Sequence, residues 1–174
     1  YLVHDNQIYG LTKGQASPTT EQGYITGTTP WGVLTAPFRP LPLAISMDVG
    51  FVARGFSGDQ EHLADLIVQG VNHKGFSFID VLQPCVSFNH LNTHHWYRER
   101  VYYIDESHNR KDKVAAWQLA HKWGDRIPIG VLYEGDRPAY NELVPAIKEM
   151  PLVDQPFVKE KLTKLNEDFL PRAE

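Results

Sequence analysis

Asn6-Gln7-Ile8-Tyr9-Gly10-Leu11-Thr12-Lys13-Gly14-Gln15, running on to Ala16-Ser17-Pro18-Thr19-Thr20, is the stretch on which the reading of this chain turns. It follows directly on Tyr1-Leu2-Val3-His4-Asp5, a short apolar run that ends in polar residues. A run of that shape predicts a buried parallel strand delivering a polar loop at its carboxyl end. Open α/β sheets bind their ligands at that edge. The loop is rich in amide, hydroxyl and glycine, which suits a phosphate and a hard cation. Asn6 offers a neutral amide oxygen, and Gly10 and Gly14 let backbone approach a ligand closely.

Working outward, the segment from Gly23 to Pro42 is dense in Gly, Thr and Pro and predicts an irregular surface stretch. Pro30, Pro37, Pro40 and Pro42 forbid a long helix there. A short helix is expected over Leu41 to Met47 and a short strand over Phe51 to Arg54. Ser57-Gly58-Asp59-Gln60 fits a capping box. The helix behind it places Leu63, Leu66, Ile67 and Val71 on one face and stops near Gly75. Phe76 to Leu82 reads as a strand, so strand, helix and strand make a βαβ unit with a right-handed crossover. Asn92 to Glu99 reads as a helical turn or two. Arg110 to Trp123 reads as a helix with Ala116, Leu119, Ala120 and Trp123 on one stripe. Ile127 to Tyr133 is an expected strand, and Tyr140 to Met150 is mixed and broken by Pro145. Val158, Leu162, Leu165 and Phe169 form a last amphipathic stripe, suited to packing on another subunit or on a missing half.

The chain has 174 residues, enough for a sizeable core, with 42% hydrophobic and 22% charged residues, as in soluble globular proteins. A net charge of -4 argues against nucleic acid as a main partner. No apolar run approaches the length that spans a membrane, and nothing resembles a signal peptide, so the cytoplasm is the expected location. A single cysteine excludes an internal disulfide framework.

From Asp5 to Thr19 the sequence resembles the second half of the thiamine-diphosphate motif of the 2-oxoacid:ferredoxin oxidoreductases, and more narrowly the beta subunit of the 2-oxoglutarate type. The similarity continues through Phe51 to Asp59, Asp80 to Asn89 and Trp96 to Arg100. The resemblance implies an α/β, Rossmann-like thiamine-diphosphate-binding fold. Its downstream half is expected over residues 1–88 and a C-terminal region of the beta subunit over residues 89–174. The family's Gly-Asp-Gly segment, which lies upstream of the asparagine, is not in this sequence. The chain is therefore expected to be the carboxyl-terminal part of a longer subunit, inactive by itself.

The same resemblance implies roles for particular residues. The Asn6 side-chain oxygen and the Ile8 carbonyl bind Mg2+, beside two diphosphate oxygens and an aspartate from upstream. Gly10, Leu11 and Thr12 line the diphosphate through backbone N–H groups and the Thr12 hydroxyl. Tyr9 either packs or meets the cofactor. Lys13 and Leu11 face the substrate, because pyruvate-specific relatives carry asparagine and glycine at these places. A cation at residue 13 suits the second carboxylate of 2-oxoglutarate. Cys85, in a Pro-Cys-Val setting at a strand end, is the fourth thiolate of a 4Fe–4S cluster whose other ligands lie outside the chain. A lone cysteine is otherwise a small hydrophobe. No catalytic side chain is singled out. His90, His94 and His95 invite a zinc reading because His90 and His94 have i, i+4 spacing, but no cysteine or carboxylate completes a zinc set. Arg54 and His62 receive no role.

The expected function is oxidative decarboxylation of a 2-oxoacid, with coenzyme A taking the acyl group and ferredoxin the electrons. The partners are the alpha subunit, ferredoxin, the 2-oxoacid and coenzyme A, with no nucleic acid and no membrane. Two other readings stay open at this point. One is a non-catalytic scaffold domain that keeps the fold, and the other is a non-oxidative thiamine-dependent decarboxylase.

Overall fold

Strand β2, Phe51–Phe56, is buried at every residue because both faces of its sheet are covered. Its side chains alternate. Val52 joins Leu41, Ala44, Ile45, Ala116, Ala120 and Leu132 on one face. Phe51 and Ala53 join Leu66, Ile79, Val81 and Val131 on the other. Each fully buried Val, Leu, Ile or Phe among them contributes roughly 1.5–3 kcal/mol relative to its exposed state.

The computed structural model describes residues 1–157 together with Lys159 and Thr163. Two compact units are formed, Tyr1–Arg137 and Pro138–Glu174. The elements of the first are β1 (Leu2–Asp5), α1 (Pro40–Ser46), β2, α2 (Gln60–Asn72), β3 (Ser77–Leu82), α3 (His94–Arg98), β4 (Val101–Tyr103), α4 (Lys113–Ala120) and β5 (Ile127–Glu134). The strand order is β1-β3-β2-β5-β4. β1 and β2 run parallel to β3, with Asp5 opposite Leu82 and Arg54 opposite Asp80. β5 runs antiparallel to β2, with a register shift at Val52/Ala53, and β4 runs parallel to β5. Strands on both sides of residue 88 share this sheet. The second unit has short helices α5 (Tyr140–Leu143) and α6 (Pro145–Lys148), interrupted by proline as expected, and a 3-10 turn at Leu152–Asp154. The stripe of Val158, Leu162, Leu165 and Phe169 lies outside the described residues.

Strand, helix and strand at β2-α2-β3 form as predicted, with several local differences. β1 is parallel but not buried: Tyr1 and Leu2 are exposed, and only Asp5 is well covered, because β1 is the edge strand of the described sheet. The cap of α2 is Asp59, whose carboxylate accepts the His62 N–H at 3.2 Å. Ser57 does not cap it, since its N–H is still bonded to the Leu82 carbonyl of the sheet. Val71 faces solvent, and Gly70 takes its place against the sheet, where a methyl group would come within 3.0 Å of Ile79. Trp123 lies beyond the end of α4. β4 was not anticipated, because three residues carry too little periodicity to read.

Candidate cofactor site

The chain leaves β1 at Asp5 and turns at once. Asn6 Oδ1 accepts the Ile8 N–H at 3.2 Å, an Asx turn, and Gln7 takes a left-handed φ of 55°. Outside the turn, the Asp5 carboxylate accepts the Gln7 N–H at 3.2 Å and the Thr19 hydroxyl at 2.6 Å. The Thr20 hydroxyl donates to the Gln7 carbonyl at 2.6 Å, and Asn89 Nδ2 donates to the Asn6 carbonyl at 3.2 Å.

Residues 9–15 then close on themselves. Tyr9 N–H donates to Gln15 O at 2.9 Å, Gly14 N–H to Tyr9 O at 2.9 Å and Lys13 N–H to Gly10 O at 3.1 Å. The Thr12 hydroxyl donates to Tyr9 O at 3.3 Å. Gly14 has φ 101°, and a Cβ there would meet Phe88 at 3.1 Å, so the position tolerates glycine alone. This closure leaves the backbone N–H groups of Gly10, Leu11 and Thr12 without acceptors among the described residues. It leaves the Ile8 carbonyl likewise without a donor. Leu11 at the tip is 99% exposed, Tyr9 is half exposed, and Lys13 is exposed with no ion pair among the described residues.

These groups fit the cofactor's two parts. Successive free N–H groups in a turn make a concavity for an anion. A free carbonyl oxygen beside an amide oxygen suits a hard cation, which accepts further ligands from phosphate. Asn6, Ile8, Gly10, Leu11 and Thr12 are thus the residues that could hold Mg2+ and a diphosphate.

The segment after β3 lies against this loop. Gln83 N–H donates to the Asp5 carbonyl at 3.1 Å, Phe88 covers Gly14, and the Tyr24 hydroxyl donates to the Phe88 carbonyl at 3.0 Å. Cys85, half-buried with a free thiol, has its sulfur 3.3 Å from where a Cβ at Gly10 would stand. The loop and the lone cysteine, far apart in sequence, are therefore in contact. His94 packs on the Phe56 ring at 5.7 Å, and His95 pairs with Glu99 at 3.3 Å.

Behind the loop is a buried charged layer that sequence reasoning left without a role. Arg54, 1% exposed, stands 3.7 Å from Asp80 and donates to the carbonyls of Ala120 at 3.0 Å and Pro128 at 3.4 Å. Burial pushes the Asp5 carboxyl up, against the pull of Thr19, the Gln7 N–H, Arg39 and Arg54. Burial, helped by Asp5, pushes Asp80 up to about 7, against the pull of Arg54 and Arg39. Burial, with the Asp5, Asp80 and Glu21 carboxylates, holds the Tyr97 phenol well above its usual range. Asp5, Thr19, Thr20 and Asn89 were missed as site residues. The signal available was polar side chains clustered at a strand's carboxyl end and across the loop's far flank.

Two known families match successive parts of the chain. Residues 1–81 match the model described as thiamine pyrophosphate enzyme, C-terminal TPP binding domain. The mixed α/β fold and this match together define a thiamine-diphosphate-enzyme domain. Residues 85–149 match the model for the C terminal of the pyruvate ferredoxin oxidoreductase beta subunit. The 2-oxoacid:ferredoxin oxidoreductase subunit beta of a Sulfolobus species is 43% identical over 160 residues, covering 85% of this chain and 50% of the relative. The 2-oxoglutarate oxidoreductase subunit KorB of Mycobacterium tuberculosis is 42% identical over 88 residues, covering 51% of this chain and 24% of the relative. A solved 2-oxoglutarate:ferredoxin oxidoreductase from Magnetococcus marinus, with 2-oxoglutarate, coenzyme A and succinyl-CoA bound, superposes with a TM-score of 0.83. It is 33% identical, over 98% of this chain and 58% of that one. The chain belongs to the beta-subunit family of the 2-oxoacid:ferredoxin oxidoreductases. It spans about half the length of the curated relatives it matches. Among the described residues no helix is long and apolar enough to cross a membrane.

Proposed function

We propose that this chain holds the diphosphate end of thiamine diphosphate in the beta subunit of a 2-oxoacid:ferredoxin oxidoreductase. The complete enzyme oxidatively decarboxylates 2-oxoglutarate to acyl-CoA and CO2 and passes electrons to ferredoxin. One observation carries the reading, the contact between Cys85 and Gly10. A thiolate packed on the diphosphate loop places an iron–sulfur ligand next to the cofactor, where electrons leave. A non-oxidative decarboxylase has no use for such a thiolate, and a bare scaffold has no use for the free N–H groups at Gly10, Leu11 and Thr12.

In this reading the Asn6 amide oxygen and the Ile8 carbonyl hold Mg2+. The N–H groups of Gly10, Leu11 and Thr12, with the Thr12 hydroxyl, receive the diphosphate, and Tyr9 borders it. Thiamine diphosphate, when bound, supplies the carbanion chemistry, and the protein supplies position and charge. Cys85 gives one thiolate to a 4Fe–4S cluster, and the chain's single cysteine means that the other ligands come from elsewhere. Lys13 pairs with the distal carboxylate of the substrate, and Leu11 sets the pocket wall. In the cytoplasm the site is completed by the alpha subunit, and coenzyme A accepts the acyl group. The KorB relatives and the Magnetococcus structure support the 2-oxoglutarate type.

The test is Cys85→Ser in the assembled enzyme. Iron content should fall, or the cluster's EPR signal and potential should shift, while release of labelled CO2 persists in part. A variant with the wild-type iron content and EPR signal would remove Cys85 from the cluster and leave it a packing residue beside the loop.

A further inference from the structure

Gln7 sits between the two residues offering oxygen to a cation, and nothing in its own chemistry favours its conformation. It is not glycine, yet its φ is 55°. Its side chain is 1% exposed, and neither Oε1 nor Nε2 has a hydrogen-bond partner among the described residues. A left-handed residue with an inward, unpaired amide persists only where its surroundings hold it.

Those surroundings are specific. The N–H of Gln7 is held by Asp5 Oδ1 at 3.2 Å and its C=O by Thr20 Oγ1 at 2.6 Å. The same Asp5 oxygen accepts the Thr19 hydroxyl at 2.6 Å, which ties the far flank of the loop to its start. Asp5 is 6% exposed and Thr20 2%, so neither contact is diluted by solvent. Turned this way, Gln7 leaves the Asn6 side chain folded over residue 8, where Asn6 Oδ1 accepts the Ile8 N–H at 3.2 Å.

We propose that Asp5 is a positioning residue for the metal-binding turn, acting with Thr19 and Thr20 to lock Gln7 left-handed so that Asn6 and Ile8 present their oxygens together before any cation arrives. This rests on the cofactor role proposed for the loop. A preformed turn lets Mg2+ bind without first ordering the chain.

The test uses the assembled enzyme with Asp5→Ala, Asp5→Asn, Thr19→Val and Thr20→Val. The valine changes keep side-chain shape and remove only the hydroxyl, which in Thr20 also accepts the Ser17 N–H at 2.8 Å, so they report even if Asp5→Ala fails to fold. Two measurements are made: amide hydrogen exchange across residues 6–15 without cofactor, and calorimetric affinity for Mg2+ at fixed thiamine diphosphate. Thr20→Val and Asp5→Ala should each speed exchange in the turn by about tenfold and weaken Mg2+ by about tenfold. Asp5→Asn, which keeps an acceptor oxygen, should restore most of both, a rescue that a general packing role would not single out. Folded valine variants with wild-type exchange and wild-type Mg2+ affinity would overturn the lock. If the wild-type enzyme itself bound no Mg2+ with thiamine diphosphate, the proposed function would fail, and the exchange measurement alone would decide the lock.

Discussion

The Cys85 sulfur stands 3.3 Å from the place a Cβ would occupy on Gly10. A methyl group there would require the thiol or the loop to give by a few tenths of an ångström, so the two pack closely. Gly10 does not have a positive φ, so alanine is allowed by its backbone and tests the contact alone. In the 174-residue chain, which has one cysteine, Gly10→Ala should change the alkylation rate of Cys85 by several-fold, read by mass spectrometry. An unchanged rate would mean that loop and thiol move independently.

Asn6→Ala should weaken Mg2+ and thiamine diphosphate together in the complete enzyme. One amide oxygen serves a shared site, and contacts to charged groups are worth about 1.5–3 kcal/mol, or roughly ten- to a hundredfold. Titrating each ligand in the presence of the other checks this. A loss confined to one of them would take Asn6 out of the shared site.

Lys13 is exposed at the loop tip without a carboxylate partner among the described residues, which leaves its charge available to substrate. Lys13→Ala should lower kcat/KM for 2-oxoglutarate by roughly ten- to a hundredfold, the worth of a charge-assisted hydrogen bond, and leave pyruvate and 2-oxobutyrate much less affected. Equal losses on all three would indicate that Lys13 serves the diphosphate. No loss on any would make it a surface lysine.

Stability should fall as pH rises from about 4 towards neutrality. Asp80 is pushed from 3.8 in the unfolded chain up to about 7 in the fold, so the folded state keeps a proton that the unfolded state gives up. The stability this contributes is fully present below the unfolded value and is lost as pH passes through the folded one. Asp5 shifts in the same direction. Asp80→Asn cannot titrate and should flatten the slope. Urea midpoints measured between about pH 5 and about pH 8 compare the two chains. A variant as pH-dependent as the wild type would assign the effect to another group.

The chemistry of the loop from Asn6 to Thr20 was legible in the sequence because it is local. Amide, hydroxyl and glycine follow one another in one unbroken run, and a turn's backbone needs no distant partner to bind an anion. The β2-α2-β3 unit was legible for a similar reason, since its strand and helix periods lie within a few dozen residues. What the tertiary structure alone decided depends on pairs distant in the chain. Sheet order brought the segment after β3 beside β1, and so put Cys85 against Gly10 and Asn89 on the Asn6 carbonyl. Register set Arg54 opposite Asp80, making a buried charged layer that includes an arginine to which the sequence assigns no role. The choice of Asp59 over Ser57 as cap, and of Gly70 over Val71 as the face of α2, followed from how far β2 stays paired and how closely the helix approaches Ile79. Local composition determined which polar groups the loop carries. Contacts between distant residues determined how that loop is held and what lies next to it.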